Sequence, residues 1–259
     1  MAFVVANGVR LHVQRVPEYD RTATRPIVVL LHGLGDSMAS FYFTLTGPLA
    51  DAGFDVISYD HRGHGRSETP STGYTVTDAG DDLDGLLTSL EVDTPVHLVG
   101  YSYGGTIAFG FAHRHPDRVA SIALIEAEPP TKNWAVRMVD GLRRAGVHME
   151  DDEYLAGQPE ILRRAAAKGR ELAAHTTVQQ DLTAPAGLMD AARLPLVGQP
   201  KLLILGSDSE LCGVRSELAP LLTRCQTEII DGADHLLLAR APNAVRELLL
   251  PWLEKRALR

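Results

Sequence analysis

One short stretch, Gly100-Tyr101-Ser102-Tyr103-Gly104, restricts the folds open to this chain more than any other feature. A mostly apolar run, residues 96–99, precedes it, and a helix-like run, residues 106–112, follows it. A strand that turns sharply into a helix holds the residue at the turn at strained backbone angles, so its neighbours must be small. The pattern predicts a strand–turn–helix unit that exposes the Ser102 hydroxyl at a sheet edge, in front of the helix amides.

Further strand-like runs alternate with helical stretches along the chain. The predicted strands are residues 27–31, 54–60, 119–125, 201–206 and 227–230, and helices are predicted over 38–52, 75–90, 213–223 and 243–256. Unbroken apolar runs are typical of parallel strands that are covered on both faces. The fold class is therefore α/β, with a mostly parallel central sheet and helices on both faces. Ligands bind such sheets at the carboxyl ends of the strands.

The stretch 127–198 has a different character. It shows two amphipathic helical patches, residues 134–145 and 160–174, and no strand pattern. We predict a helical lid here, inserted into one domain that comprises residues 1–126 and 199–259. The acidic run 150–153 is predicted to be a solvated surface.

Composition excludes several other classes of function. The chain has 259 residues, 45% of them hydrophobic, with a net charge of −8 and no long basic run, which argues against nucleic-acid binding. Its two cysteines, Cys212 and Cys225, lack the spacing of a zinc site or a disulfide framework. The N-terminus lacks the features of a signal peptide, and no apolar stretch is long enough for a membrane span. We therefore expect a soluble cytoplasmic protein that uses no metal and no cofactor.

At this point the chain resembles the α/β-hydrolase fold superfamily, in its serine hydrolase or esterase type. The matching segments cover nearly the whole length and are residues 31–35, 60–67, 100–105, 115–119 and 232–235. The order nucleophile, acid, histidine along the chain also fits this fold. The resemblance implies the fold and the catalytic machinery, and it leaves the substrate open.

Ser102 is the predicted nucleophile and His235 the predicted base. A serine hydroxyl attacks poorly until a base takes its proton. An imidazole can take that proton near neutral pH and later protonate the leaving group. His235 follows the last predicted strand, where the resemblance places the histidine of such a triad.

The acid of the triad is less well defined by the sequence. In most relatives it lies three residues after the glycine that here is Gly206, and this place is occupied by Ser209. Asp208 lies one residue before that place. Glu126, at the end of the preceding strand, matches the branch of the superfamily that resembles haloalkane dehalogenases. We favour Glu126 and keep Asp208 as the alternative.

Two backbone amides are expected to form the oxyanion hole, those of Leu34 and Tyr103. Trp134, Met138 and Phe41 are candidates for an apolar acyl pocket. We expect His32 to brace its loop. His61 and His64 lack a third spaced ligand for a metal, and Asp60 and Arg62 are expected to tie down the glycine-rich loop that contains them.

These features predict a cofactor-independent serine hydrolase that cleaves a carboxylic ester, thioester or lactone of a small molecule through an acyl-enzyme. The first alternative is a C–C bond hydrolase on the same fold. Hydroxynitrile lyase and haloperoxidase activities are minor alternatives, and a non-catalytic ligand receptor is the alternative from another class. Dehalogenase and epoxide hydrolase chemistry is disfavoured, because both need a carboxylate nucleophile and position 102 is serine.

Overall fold

The structure, a computed structural model, describes residues 2–17, 25–149, 157 and 159–257, and for residues 141–149 it describes the backbone alone. Eight strands form one sheet. They are β1 (Ala2–Ala6), β2 (Val9–Val16), β3 (Ile27–Leu31), β4 (Asp55–Tyr59), β5 (Val96–Tyr101), β6 (Val119–Ile125), β7 (Lys201–Gly206) and β8 (Cys225–Ile230).

The strand order in the sheet is β1-β2-β4-β3-β5-β6-β7-β8. The hairpin of β1 and β2 is antiparallel, and β2 also pairs antiparallel with β4. All pairs from β4 to β8 are parallel. The carboxyl ends of β5, β6, β7 and β8 therefore lie side by side at one edge, where such sheets bind ligands. The predicted mostly parallel sheet is confirmed.

Helices cover both faces of the sheet. They are α1 (Ala39–Phe41), α2 (Gly47–Asp51), α3 (Val76–Ser89), α4 (Tyr103–Arg114), α5 (Lys132–Met149), α6 (Glu160–His175), α7 (Val178–Asp181), α8 (Glu210–Leu218), α9 (Leu237–Arg240) and α10 (Pro242–Ala257). A π-helical stretch, Tyr42–Thr46, joins α1 to α2. Successive residues of β3 point to opposite faces: Val29 and Leu31 join the core under α3 and α4, whereas Val28 and Leu30 join the core under α10. This explains why β3 is apolar throughout.

Between β6 and β7 the described residues form α5, α6 and α7 with short 3₁₀ turns, and a β-bridge joins Thr131 to Met189. The acidic run 150–153 lies outside the described residues. None of the helices in the described part of the chain has the length and apolar character that a membrane crossing requires.

Helix α8 departs from its predicted bounds. It begins at Glu210 because the Ser209 side chain caps it by accepting a hydrogen bond from the Leu211 N–H at 3.2 Å. It ends at Leu218, shortly before Pro220, which has no N–H to continue the helix. The shift matters because it brings the start of α8 to the carboxyl edge of the sheet.

Candidate active site

Ser102 occupies a sharp turn between β5 and α4, with φ 50° and ψ −121°. Two glycines make this turn sterically feasible. A Cβ on Gly104 would lie 2.0 Å from the Leu31 carbonyl oxygen, and one on Gly100 would lie 2.4 Å from the backbone of Gly105. Both distances are far below van der Waals contact, so no larger residue fits beside Ser102.

Three side chains lie in one hydrogen-bonded line at the carboxyl edge of the sheet. The Ser102 Oγ is 3.1 Å from His235 Nε2, and His235 Nδ1 is 3.0 Å from Glu126 Oε2. Glu126 is fully buried, whereas 47% of the His235 side chain is exposed. The line thus runs from the buried carboxylate of Glu126 to the hydroxyl of Ser102, which lines a cavity described below.

Glu126 directly follows β6 and has a positive φ of 49°. Its Oε1 accepts a hydrogen bond from the Gly206 N–H at 2.6 Å. Its Oε2 accepts one from the Ser209 hydroxyl at 2.5 Å, besides its contact with His235. A buried carboxylate needs such donors, because burial without them is costly.

Asp208, the alternative acid, does not occupy this position. It is exposed, and its carboxylate accepts a hydrogen bond from Ser207 at 2.9 Å. The Asp208 N–H donates to the Ala233 carbonyl at 2.9 Å and so fixes the backbone at this residue. In this backbone position the Asp208 side chain lies at the surface. The carboxylate that His235 contacts belongs to Glu126 and not to Asp208.

A cavity of about 400 Å³ opens beside this line. Its lining includes Leu34, Ser102, Thr106, Trp134, Met138, Leu211 and His235. Trp134 and Met138 therefore lie where the sequence predicted them. The prediction for Phe41 is wrong: it is fully buried in the core under α10, with Leu45 and Leu49, and does not line the cavity.

An ion pair also lines the cavity. The Arg137 Nε donates to Glu128 Oε1 at 2.9 Å, and Arg137 Nη2 makes a second, shorter bond to Glu128 Oε2. Glu128 is 4% exposed, and its carbonyl accepts a bond from the Thr106 hydroxyl at 2.8 Å. The pair connects helix α5 to the segment that follows β6.

Comparison with known proteins identifies the family. The family model for the alpha/beta hydrolase fold matches residues 26–145. A putative carbamate hydrolase, RutD, of Variovorax paradoxus is 31% identical over 200 residues, which cover 71% of this chain and 74% of that protein. The chain belongs to the α/β-hydrolase fold family.

Two further relatives match this α/β hydrolase over most of its length. A 2-(acetamidomethylene)succinate hydrolase of Mesorhizobium japonicum is 27% identical over 248 residues, 88% of each chain. The crystal structure of an enol-lactonase from Burkholderia xenovorans superimposes with a TM-score of 0.77 at 22% identity, covering 98% of this chain and 100% of the other. The protein is a hydrolase of this family.

The backbone beside Ser102 in this α/β hydrolase offers two amide groups. The loop after β3 passes so close that a Cβ on Gly33 would lie 3.4 Å from the Ser102 Cβ, and the next residue, Leu34, lines the cavity. Tyr103 is the first residue of α4, so its N–H has no acceptor within the helix. These are the two positions that the sequence predicted for an oxyanion hole.

Three buried histidines brace this loop. The Gly35 N–H donates to His64 Nε2 at 2.9 Å, and the His61 N–H donates to His32 Nε2 at 3.0 Å. Burial lowers the pKa of all three, that of His64 to about 3, so their rings stay neutral, and those of His64 and His32 can accept these bonds. Within the described ranges, no group of three or more His, Cys, Asp or Glu side chains is placed to hold a metal ion.

Asp60 and Arg62 hold the glycine-rich loop in place. The Asp60 carboxylate accepts bonds from the backbone N–H groups of Met38 and Arg66, both at 2.9 Å. Arg62 is paired with Asp82 on α3 through its Nε at 2.6 Å and through Nη2. The loop is thereby fixed both to the segment after β3 and to α3.

Sequence reasoning missed three contacts at this site. The Tyr101 hydroxyl donates to the His235 carbonyl at 2.7 Å, and burial and the nearby Asp36 raise the pKa of Tyr101, so the hydroxyl stays protonated. The bond from Ser209 to Glu126 and the ion pair of Arg137 were also not anticipated. Of these residues, only Ser209 could have been noticed in the sequence, because it occupies the position where most relatives have the acid of the triad.

Proposed function

We propose that this α/β hydrolase is a serine hydrolase that cleaves a carboxylic ester through an acyl-enzyme. Ser102 attacks the ester carbonyl while His235 takes its proton. His235 then protonates the leaving alcohol, and Glu126 stabilises the imidazolium in between. Water, activated by His235, attacks the acyl-enzyme and releases the acid.

One observation carries this proposal, the line from Ser102 through His235 to Glu126 with distances of 3.1 and 3.0 Å. Both distances are within the range that proton transfer between a nucleophile and its base requires. Each partner also approaches a different atom of the imidazole, Nε2 and Nδ1, so one ring can serve both at once. This arrangement matches the chemistry of acyl transfer more closely than that of a passive ligand receptor.

In the proposed mechanism the amides of Leu34 and Tyr103 donate to the carbonyl oxygen as it becomes negative. Such donors act mainly in the transition state, because the charge exists only there. The positive end of the α4 helix dipole lies at the same site and also favours this negative charge. The neutral ring of His64 holds the loop through Gly35 and so preserves this geometry.

The cavity of about 400 Å³ supports a small acyl substrate. Trp134 and Met138, both on α5, supply apolar surface beside Ser102. We propose that residues 127–198 act as a lid and that exchange of side chains on α5 changes the accepted acyl group. Thioesters and lactones present the same carbonyl to Ser102, so the proposal extends to both.

The first test is Ser102→Ala. We expect loss of hydrolysis of a short p-nitrophenyl ester by a factor of roughly 10⁴ or more, because the variant lacks the hydroxyl that contacts His235 Nε2. The variant should also lose covalent labelling by a fluorophosphonate while its circular dichroism spectrum stays that of the wild type. Turnover retained by this variant contradicts the nucleophile assignment. A wild-type protein that is neither labelled nor active supports the receptor alternative.

A further inference from the structure

The Ser209 hydroxyl makes a contact at the site that the proposed mechanism does not yet use. It lies 2.5 Å from Glu126 Oε2, the same oxygen that His235 Nδ1 contacts at 3.0 Å. Ser209 is 8% exposed, so water has little access to this bond. Two donors, the Ser209 hydroxyl and His235 Nδ1, thus meet on one carboxylate oxygen.

The direction of this hydrogen bond is fixed. The Ser209 Oγ accepts the Leu211 N–H at 3.2 Å, and an ionised carboxylate can only accept. The hydroxyl hydrogen therefore goes to Glu126. The Leu211 N–H in the first turn of α8 thus donates to Ser209, and the Ser209 hydroxyl donates to Glu126. The same Glu126 oxygen faces His235 Nδ1.

We propose that Ser209 is a positioning residue of the catalytic site, which holds the Glu126 carboxylate in place for His235. The proposal rests on the proposed function. The terminal torsion of a glutamate is broad, so a carboxylate needs partners to keep one oxygen in place. Gly206 holds Oε1 and Ser209 holds Oε2, which leaves Oε2 aimed at the imidazole.

The proposal is tested with Ser209→Ala and Ser209→Thr. The alanine variant should lose kcat by roughly tenfold to a hundredfold, because a hydrogen bond to a charged group is lost, while KM for a p-nitrophenyl ester stays within twofold. The threonine variant keeps the hydroxyl and the helix cap and should stay within threefold of the wild type. Asp208→Asn, one residue away and exposed, is the matched control and should leave kcat unchanged.

Two outcomes of this comparison overturn the proposal. One is a Ser209→Ala protein that keeps the wild-type kcat. The other is an equal loss in the alanine and threonine variants, which assigns the effect to packing instead of the hydroxyl. Thermal melting of each variant shows that the folded protein is being compared.

Glu126→Gln should lower kcat by roughly a thousandfold or more, since His235 loses its charged acceptor. A Glu126→Gln protein that keeps the wild-type kcat also overturns the proposal, because Ser209 acts through this carboxylate.

Fluorophosphonate labelling separates this proposal from the proposed function. If the wild type is labelled and turns over while the Ser209 variants behave like it, the role of Ser209 alone is overturned. If the wild type is neither labelled nor active on esters, the proposed function is overturned and with it the role of Ser209.

Discussion

Ser102 and Glu126 are non-glycine residues that both have a positive φ, 50° and 49°. Such conformations in non-glycine residues cost on the order of 1–3 kcal/mol each and persist where the surroundings enforce them. Here the neighbouring strands do so: the Ser102 N–H donates to the Ile125 carbonyl and the Glu126 N–H to the Ile204 carbonyl, both at 2.9 Å. The positive φ turns each side chain off the end of its strand and toward His235.

Gly104 gives a prediction at the scale of one residue. Gly104→Ala should lower the free energy of unfolding by at least ~3 kcal/mol, because the added Cβ meets the rigid backbone of Leu31. Gly169→Ala on α6 is the matched control, since a Cβ there meets nothing within 4 Å. It should be neutral or raise the free energy of unfolding by up to ~1 kcal/mol, as glycine is a poor helix former. Urea denaturation of both variants measures this; equal effects in the two contradict the steric account of the turn.

At the scale of secondary-structure elements, the pair of Glu128 and Arg137 fastens α5 to the sheet. Glu128 is nearly fully buried, whereas a third of the Arg137 side chain is exposed, so the pair is partly screened by water. Trp134 and Met138 lie within one turn of Arg137 on the same helix. The ion pair therefore also sets where these two side chains lie in the cavity.

A double-mutant cycle tests this connection. Arg137→Met should lower the free energy of unfolding by ~2 kcal/mol or more, because it leaves the Glu128 carboxylate buried without its partner. Adding Glu128→Gln removes that charge and should restore much of the loss, so the two effects should not be additive. Additive effects measured by urea denaturation contradict a direct pair. The same variants should raise KM for a p-nitrophenyl ester, since α5 is then held less firmly.

At the scale of the whole molecule, buried neutral histidines make stability depend on pH. Burial lowers the pKa of His64 to about 3 and that of His97 to about 4 from an ordinary 6.5. Below pH 6.5 these histidines bind protons in the unfolded chain but not in the folded chain. The free energy of unfolding therefore falls as the pH drops from 6.5 toward the pKa values of the folded protein. His32 and His61, also with lowered pKa, act in the same direction.

We expect the free energy of unfolding to be lower at about pH 5 than at about pH 7.5. His64 and His97 alone should account for ~4 kcal/mol, because each contributes about 1.4 kcal/mol for every pH unit below its ordinary pKa. His97→Asn should flatten the dependence by ~2 kcal/mol. Urea denaturation at the two pH values provides the measurement. A stability that does not change between them contradicts the account.

Much of the fold was predictable because its strands are buried on both faces and so appear as unbroken apolar runs, as in β3 and β7. The nucleophile turn was predictable because sterics demand small residues beside Ser102. The burial of Phe41 was not, because α1 has three residues and shows no periodicity. The sequence favoured Glu126 over Asp208 but left both open, because both carboxylates follow adjacent parallel strands and only the backbone fixes which of them faces His235.

The pairing of β6 with β7 allows the segment between these two strands to be exchanged. Lys201, the first residue of β7, lies opposite Ile122 of β6, so the chain leaves the sheet at the carboxyl end of β6 and re-enters it at the amino end of the adjacent strand. The segment can be exchanged for another of different length without altering the register of the strands on either side. We therefore expect grafts between these two strands to give chimeras that fold, keep their reactive serine and accept different esters.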